Sequence, residues 1–94
     1  MIYLMFKDEI IGDISINSME NFWVYGTYKL YENAKKFEEL FKALVNEDEI
    51  FDETKFDKEF IDHDNWFINN NGKILGITIP AIYFDDKLIS FRFR

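Results

Sequence analysis

The chain contains no cysteine, one proline (Pro80), one histidine (His63) and four glycines among 94 residues. Without cysteine there is no disulfide framework, no thiolate nucleophile and no cysteine-type zinc site, and a reducing cytoplasm is the compartment this composition fits. No run of about 18 consecutive apolar residues occurs, so no transmembrane helix and no membrane role is expected. The apolar start MIYLMF follows no basic residue and is interrupted by Lys7, Asp8 and Glu9, so it reads as a first strand and not as a signal peptide. The glycines Gly12, Gly26, Gly72 and Gly76 are scattered, which removes a phosphate-cradling loop. Ser15, Ser18 and Ser90 carry no nucleophile elbow, and His63 sits between Asp62 and Asp64, so no catalytic triad is expected. The same Asp-His-Asp triplet offers ligand types for a divalent ion. It lacks the oxygen series, central glycine and terminal glutamate of a calcium loop, so neither metal nor cofactor is expected.

What is abundant is apolar surface and negative charge. Hydrophobic residues make up 48% of the chain and aromatics 19%, enough for a packed core without metal or disulfide, and the length suits one domain over 1–94. The net charge is −7, and all of it lies in residues 47 to 64. There Glu47, Asp48, Glu49, Asp52, Glu53, Asp57, Glu59, Asp62 and Asp64 face only Lys55 and Lys58, while acids and bases balance elsewhere. Such a block is either a solvated surface or a local field that steers a basic partner.

Residues 2–6 and 10–16 alternate as two strands around a polar turn at Lys7 to Glu9. A turn at NSMEN then leads into a third strand over 22–29, in which Gly26 marks a bulge or a close approach. From Glu32 to about Asn46 the period changes to that of a helix, with Phe37, Leu40, Phe41, Leu44 and Val45 on one face. A second helix is expected from Glu53 to about Ile61, capped by Asp52 and stapled by Phe51 and Phe56. Strand patterning returns with WFIN, an Asn71-Gly72 type I′ turn, KILGITIPAIYF and LISFRFR, with Pro80 at an edge or a break. The expected fold is α+β: an antiparallel sheet of five or six strands, in the order β-β-β-α-α-β-β-β, with two helices packed on one face.

A direct nucleic-acid binder would carry a basic patch, and here the balance is reversed. On a strand, the phenylalanines and arginines of FRFR point to opposite faces, which fits a core strand better than a stacking platform. Aromatic residues are more numerous than a small sheet covers, so Trp23, Tyr25 and Trp66 join the nine acids as candidate partner-binding residues, the aromatics as anchors and the acids as a steering rim. With its compact α+β plan, its acidic run NEDEIFDETKFDKEFIDHD and strands such as NWFINNNGKILGITIPAIYF, the chain resembles the small acidic immunity proteins of bacterial contact-dependent inhibition and other polymorphic toxin systems. The resemblance covers the overall plan and no diagnostic motif. It implies a protein that binds a cognate, often basic, toxin domain and blocks it without chemistry of its own. The alternatives are a nucleic-acid-mimicking inhibitor of the phage anti-defence type, a small enzyme or ligand-binding domain using acidic side chains, and an assembly subunit. The sequence leaves the oligomeric state open.

Overall fold

In the computed structural model, which describes residues 1–94, alternation of apolar and polar residues builds seven strands: β1 (Ile2–Phe6), β2 (Glu9–Glu20), β3 (Trp23–Leu30), β4 (Trp66–Asn70), β5 (Lys73–Gly76), β6 (Ala81–Tyr83) and β7 (Leu88–Arg92). All pair antiparallel in one sheet of order β5-β4-β1-β2-β3-β7-β6. The α+β class and the antiparallel sheet are those expected; seven strands replace the five or six. The extra strand comes from Pro80, which has no N–H to offer a ladder and breaks KILGITIPAIYF into β5 and β6.

That broken strand also joins the two flanks of the sheet. Its first half pairs with β4, its second half with β7, and between them Ile77 lies opposite Phe93. The Thr78 N–H donates to the Arg92 carbonyl at 2.9 Å, and the Arg94 N–H to the Gly76 carbonyl at 3.1 Å. The sheet therefore curls into a ring closed at this point, which leaves few free edges.

Three turns follow directly from residue chemistry. Lys7 (φ 54°) closes the β1–β2 hairpin, and Asn71 (φ 52°) with Gly72 (φ 95°) forms the anticipated I′ turn. The β2–β3 hairpin differs from expectation. Asn17 to Glu20 of the NSMEN segment are strand, not turn, because a register shift between Ile16 and Ser18 absorbs one residue, and the reversal falls on Asn21 and Phe22. Gly26 stands opposite that bulge, where a Cβ would come 2.2 Å from the Ser15 carbonyl oxygen, so only glycine fits the close approach.

Only one α-helix is present, α1 (Glu38–Val45), preceded by a 3-10 helix over Glu32–Phe37. In a 3-10 helix residues three apart line up, and Ala34 and Phe37 are both buried that way before α1 continues the face with Leu40 and Phe41. Asn33 fixes this entry by donating to the Ile10 carbonyl (2.9 Å) and to the Glu9 carboxylate (3.0 Å).

The second expected helix, Glu53 to Ile61, is absent; single 3-10 turns at Glu53–Lys55 and His63–Asn65 stand in its region. Its apolar residues explain why. Phe51, Phe56 and Ile61 recur every five residues, and on an α-helix five residues advance about 140° beyond a full turn, which would scatter them round the axis. The cap and the staple contact nevertheless form: Asp52 accepts the Thr54 N–H, and Phe51 and Phe56 stack with centroids 5.5 Å apart.

The core unites both layers. Leu4, Phe6, Ile68, Ile77, Ile82, Ile89 and Phe91 from the sheet meet Phe37, Leu40 and Phe41, with Trp66 at the junction. Trp66 is wholly buried, its ring 5.1 Å from both Phe6 and Phe37 and 5.7 Å from Phe41, and its Nε1–H donates to the Phe60 carbonyl at 2.9 Å. It is a core residue and not the surface anchor the aromatic count suggested. Ile89 and Phe91 are buried as expected of a core strand.

Candidate functional site

The acidic segment is ordered by a repeated turn. Phe51-Asp52, Phe56-Asp57 and Ile61-Asp62 each place an apolar residue before an aspartate, five residues apart. Each aspartate carboxylate accepts the N–H two residues on, from Thr54 (3.0 Å), Glu59 (3.0 Å) and Asp64 (2.9 Å). Each aspartate carbonyl accepts the N–H three residues on, from Lys55 (3.3 Å), Phe60 (3.0 Å) and Asn65 (3.1 Å). Local side-chain bonding of this kind competes with a helix and wins where the apolar spacing gives the helix no common face.

The apolar members of the repeat are its feet. Phe51, Phe56, Phe60 and Ile61 pack half-buried against the core, with Phe60 4.7 Å from Phe37 and edge-on to Phe6 at 5.5 Å. The C-terminal end is fixed further. His63 Nδ1 accepts the Ile79 N–H at 2.9 Å, and the Asn65 amide donates to the Glu59 carbonyl at 2.9 Å. Arg94 donates to the carbonyls of Ile77 (2.8 Å) and Trp66 (2.9 Å), pairs with the Asp64 carboxylate at 3.4 Å, and lies over the Phe67 ring at 5.1 Å.

All nine acids of the segment are exposed. Only Glu59 and Asp64 have ionic partners, Lys7 at 2.9 Å and Arg94; Glu47, Asp48, Glu49, Asp52, Glu53, Asp57 and Asp62 have none. The two hydrogen bonds from Thr54 hold the Asp52 carboxyl below the ordinary aspartate range. An open cleft of about 420 Å³ separates the segment from α1, and its rim mixes Lys42 and Lys55 with Glu39, Glu49 and Asp52. No group of three or more His, Cys, Asp or Glu side chains is placed to hold a metal ion. No helix is long and apolar enough to cross a membrane.

Of the aromatic candidates, Trp23 and Tyr25 are 38% and 40% exposed on the outward face of β3. Arg92 lies over the Trp23 ring at 5.6 Å, and Tyr83 and Leu88 of β6 and β7 extend the same face. A shallow depression of about 360 Å³ lies among Tyr25, Tyr83 and Leu88. This face and the acidic segment are linked. Arg92 and Arg94, two positions apart and hence about 7 Å along the strand on one side, connect Trp23 to Asp64.

Tyr83, Leu88 and Arg94 were not among the sequence candidates. Their role depends on β6 and β7 lying beside β3, a long-range pairing that local patterning does not encode. Phe22 was also missed. Its signal was present in Asn21, since asparagine readily opens a two-residue hairpin turn. No protein-family model, curated protein or solved structure matches the chain.

Proposed function

We propose that the chain is a non-enzymatic protein-binding domain, of the immunity-protein kind, that neutralises a basic toxin domain in the bacterial cytoplasm. The observation that carries this reading is the set of seven exposed carboxylates without a cation, four of which, Asp52, Glu53, Asp57 and Asp62, lie on a turn repeat whose apolar feet are set in the core. Charge held on a pre-ordered segment meets a complementary surface at a lower entropic cost, because that part of the chain does not have to be ordered on binding. Trp23 and Tyr25, joined to the segment through Arg92 and Arg94, supply the desolvated anchors, and the acids raise the rate of encounter.

Affinity capture from the native cell tests the reading, with the wild-type chain and its Glu47→Lys/Glu49→Lys/Glu53→Lys variant as baits. None of these three side chains takes part in a turn bond or an ion pair. A basic toxin domain held by the first bait and lost by the second is the expected result. A partner held equally by both overturns the acidic surface, and one displaced by added DNA or RNA at constant ionic strength assigns the nucleic-acid-mimic alternative.

A further inference from the structure

We infer that the chain self-associates through the free edge of the β2–β3 hairpin, which pairs antiparallel with the same edge of a second copy. β2 outruns its neighbour. β1 covers it only as far as Ile14, opposite Ile2, while β3 continues to pair as far as Glu20. From Ile16 to Glu20 the other side of β2 therefore has no strand beside it, and all five residues are exposed. Parity settles which groups are free. The two-residue turn makes Glu20 and Trp23 a hydrogen-bonded pair, so the main-chain groups of Met19 point away from β3.

The edge carries one ionisable side chain, Glu20, at its end. Ile14 to Met19 contains no ionisable side chain, so two copies of a chain of net charge −7 meet there with least repulsion. The free stretch centres on Ser18. A two-fold pairing about Ser18 sets Met19 of each copy across from Asn17 of the other, and the two Glu20 side chains fall at opposite ends. The bulge contributes as well. Ile16 and Met19, three apart, would point to opposite faces of a regular strand, but they pair with Gly26 and Val24 and so share one. They are 38% and 58% exposed, an apolar pair that a second copy covers.

The β5 end of the sheet contrasts with it. β5 begins with Lys73, and a lysine on an edge opposes strand addition. β2 carries no lysine, arginine or proline. The arrangement is isologous and closes at two copies, and its short edge makes it a concentration-dependent dimer.

The chain's lack of cysteine gives a direct test, because any introduced thiol is the only one. Sedimentation or light scattering over a roughly hundredfold range of concentration is expected to show a monomer–dimer equilibrium. Ser18→Cys is expected to form a disulfide-linked dimer under mild oxidation, because at the two-fold axis it faces itself across the pair, whereas Lys73→Cys is not. Met19→Lys, at an exposed position, is expected to weaken the dimer about tenfold or more with its circular dichroism unchanged. A chain that stays monomeric throughout, or a dimer that Lys73→Cys links and Ser18→Cys does not, overturns the inference.

Discussion

Residues 46 to 65 and the hairpin from Ser15 to Tyr25 solve opposite problems. The acidic segment has little regular secondary structure, yet from Phe51 onward its apolar residues point inward and its charges outward, so that part of its main chain is pinned by Phe51, Phe56, Phe60 and Ile61, while Ile50 just before them is exposed. The hairpin is paired along both of its strands, yet apart from Val24 its tip buries little: Met19, Phe22, Trp23 and Tyr25 are all exposed. Regular hydrogen bonding and anchorage are thus separate properties in this fold. A turn repeat with apolar feet holds charges in fixed positions, while a ladder whose side chains lack a second layer presents apolar groups to whatever approaches.

The comparison breaks first at Trp66, which lies just after the acidic segment and ties it to the core. Trp66→Ala removes a fully buried ring and the donor to the Phe60 carbonyl, and about 3–5 kcal/mol of stability is expected to go with them in urea unfolding. A variant as stable as wild type would mean that the tryptophan does not fill the core. Phe56→Ala is milder, since the ring is half-buried and stacked on Phe51; about 1–2 kcal/mol is expected. Its more telling readout is hydrogen exchange. If the feet pin the segment, the Thr54 and Glu59 amides should exchange faster in this variant while those of β3 do not change.

How much was legible in the sequence follows the range of the interactions. Strands flanked by their own turns, such as the β4–β5 hairpin at Asn71-Gly72, were readable because turn chemistry and alternation lie within a few residues of each other. So was the core role of Phe37, Leu40 and Phe41, which repeat with the helical period. The second helix was misjudged because Asp52 and the Phe51–Phe56 contact are genuine start signals, whereas the five-residue period that stops propagation becomes visible only across all three repeats. Trp66 was placed outside because counting aromatics says nothing of which face the 3-10 and α1 layer covers. Ring closure between Ile77 and Phe93 rests on partners sixteen residues apart that no local pattern joins.

The hairpin tip offers a change in the opposite direction. Phe22 has φ 72°, a left-handed conformation that strains a bulky side chain, and it is 77% exposed, so nothing in the fold repays the strain. Phe22→Gly creates the Asn-Gly pair that the I′ turn favours, and a gain of about 1 kcal/mol is expected in the melting profile. A loss of stability would mean that the ring makes a supporting contact. A gain accompanied by weaker partner binding would identify the strain as retained for recognition.

The smallest effect expected is electrostatic and belongs to the acidic segment. Hydrogen bonds from the Thr54 hydroxyl (2.6 Å) and N–H lower the folded-state pKa of Asp52 below its unfolded value. A depressed carboxyl stabilises the fold above the unfolded pKa, and that contribution is lost as pH falls through the folded value, so the turn weakens only in acid and not across the neutral range. The Asp52 carboxyl carbon, followed by NMR, should titrate below a model-peptide aspartate, and Thr54→Val should move its midpoint up by removing the hydroxyl donor while leaving the N–H. Asp57, in the second turn, accepts the Glu59 N–H but no hydroxyl. A Thr54→Val variant in which Asp52 titrates where it did before would show that the main-chain bond sets the shift, and the first turn of the repeat would then be held in the same way as the second.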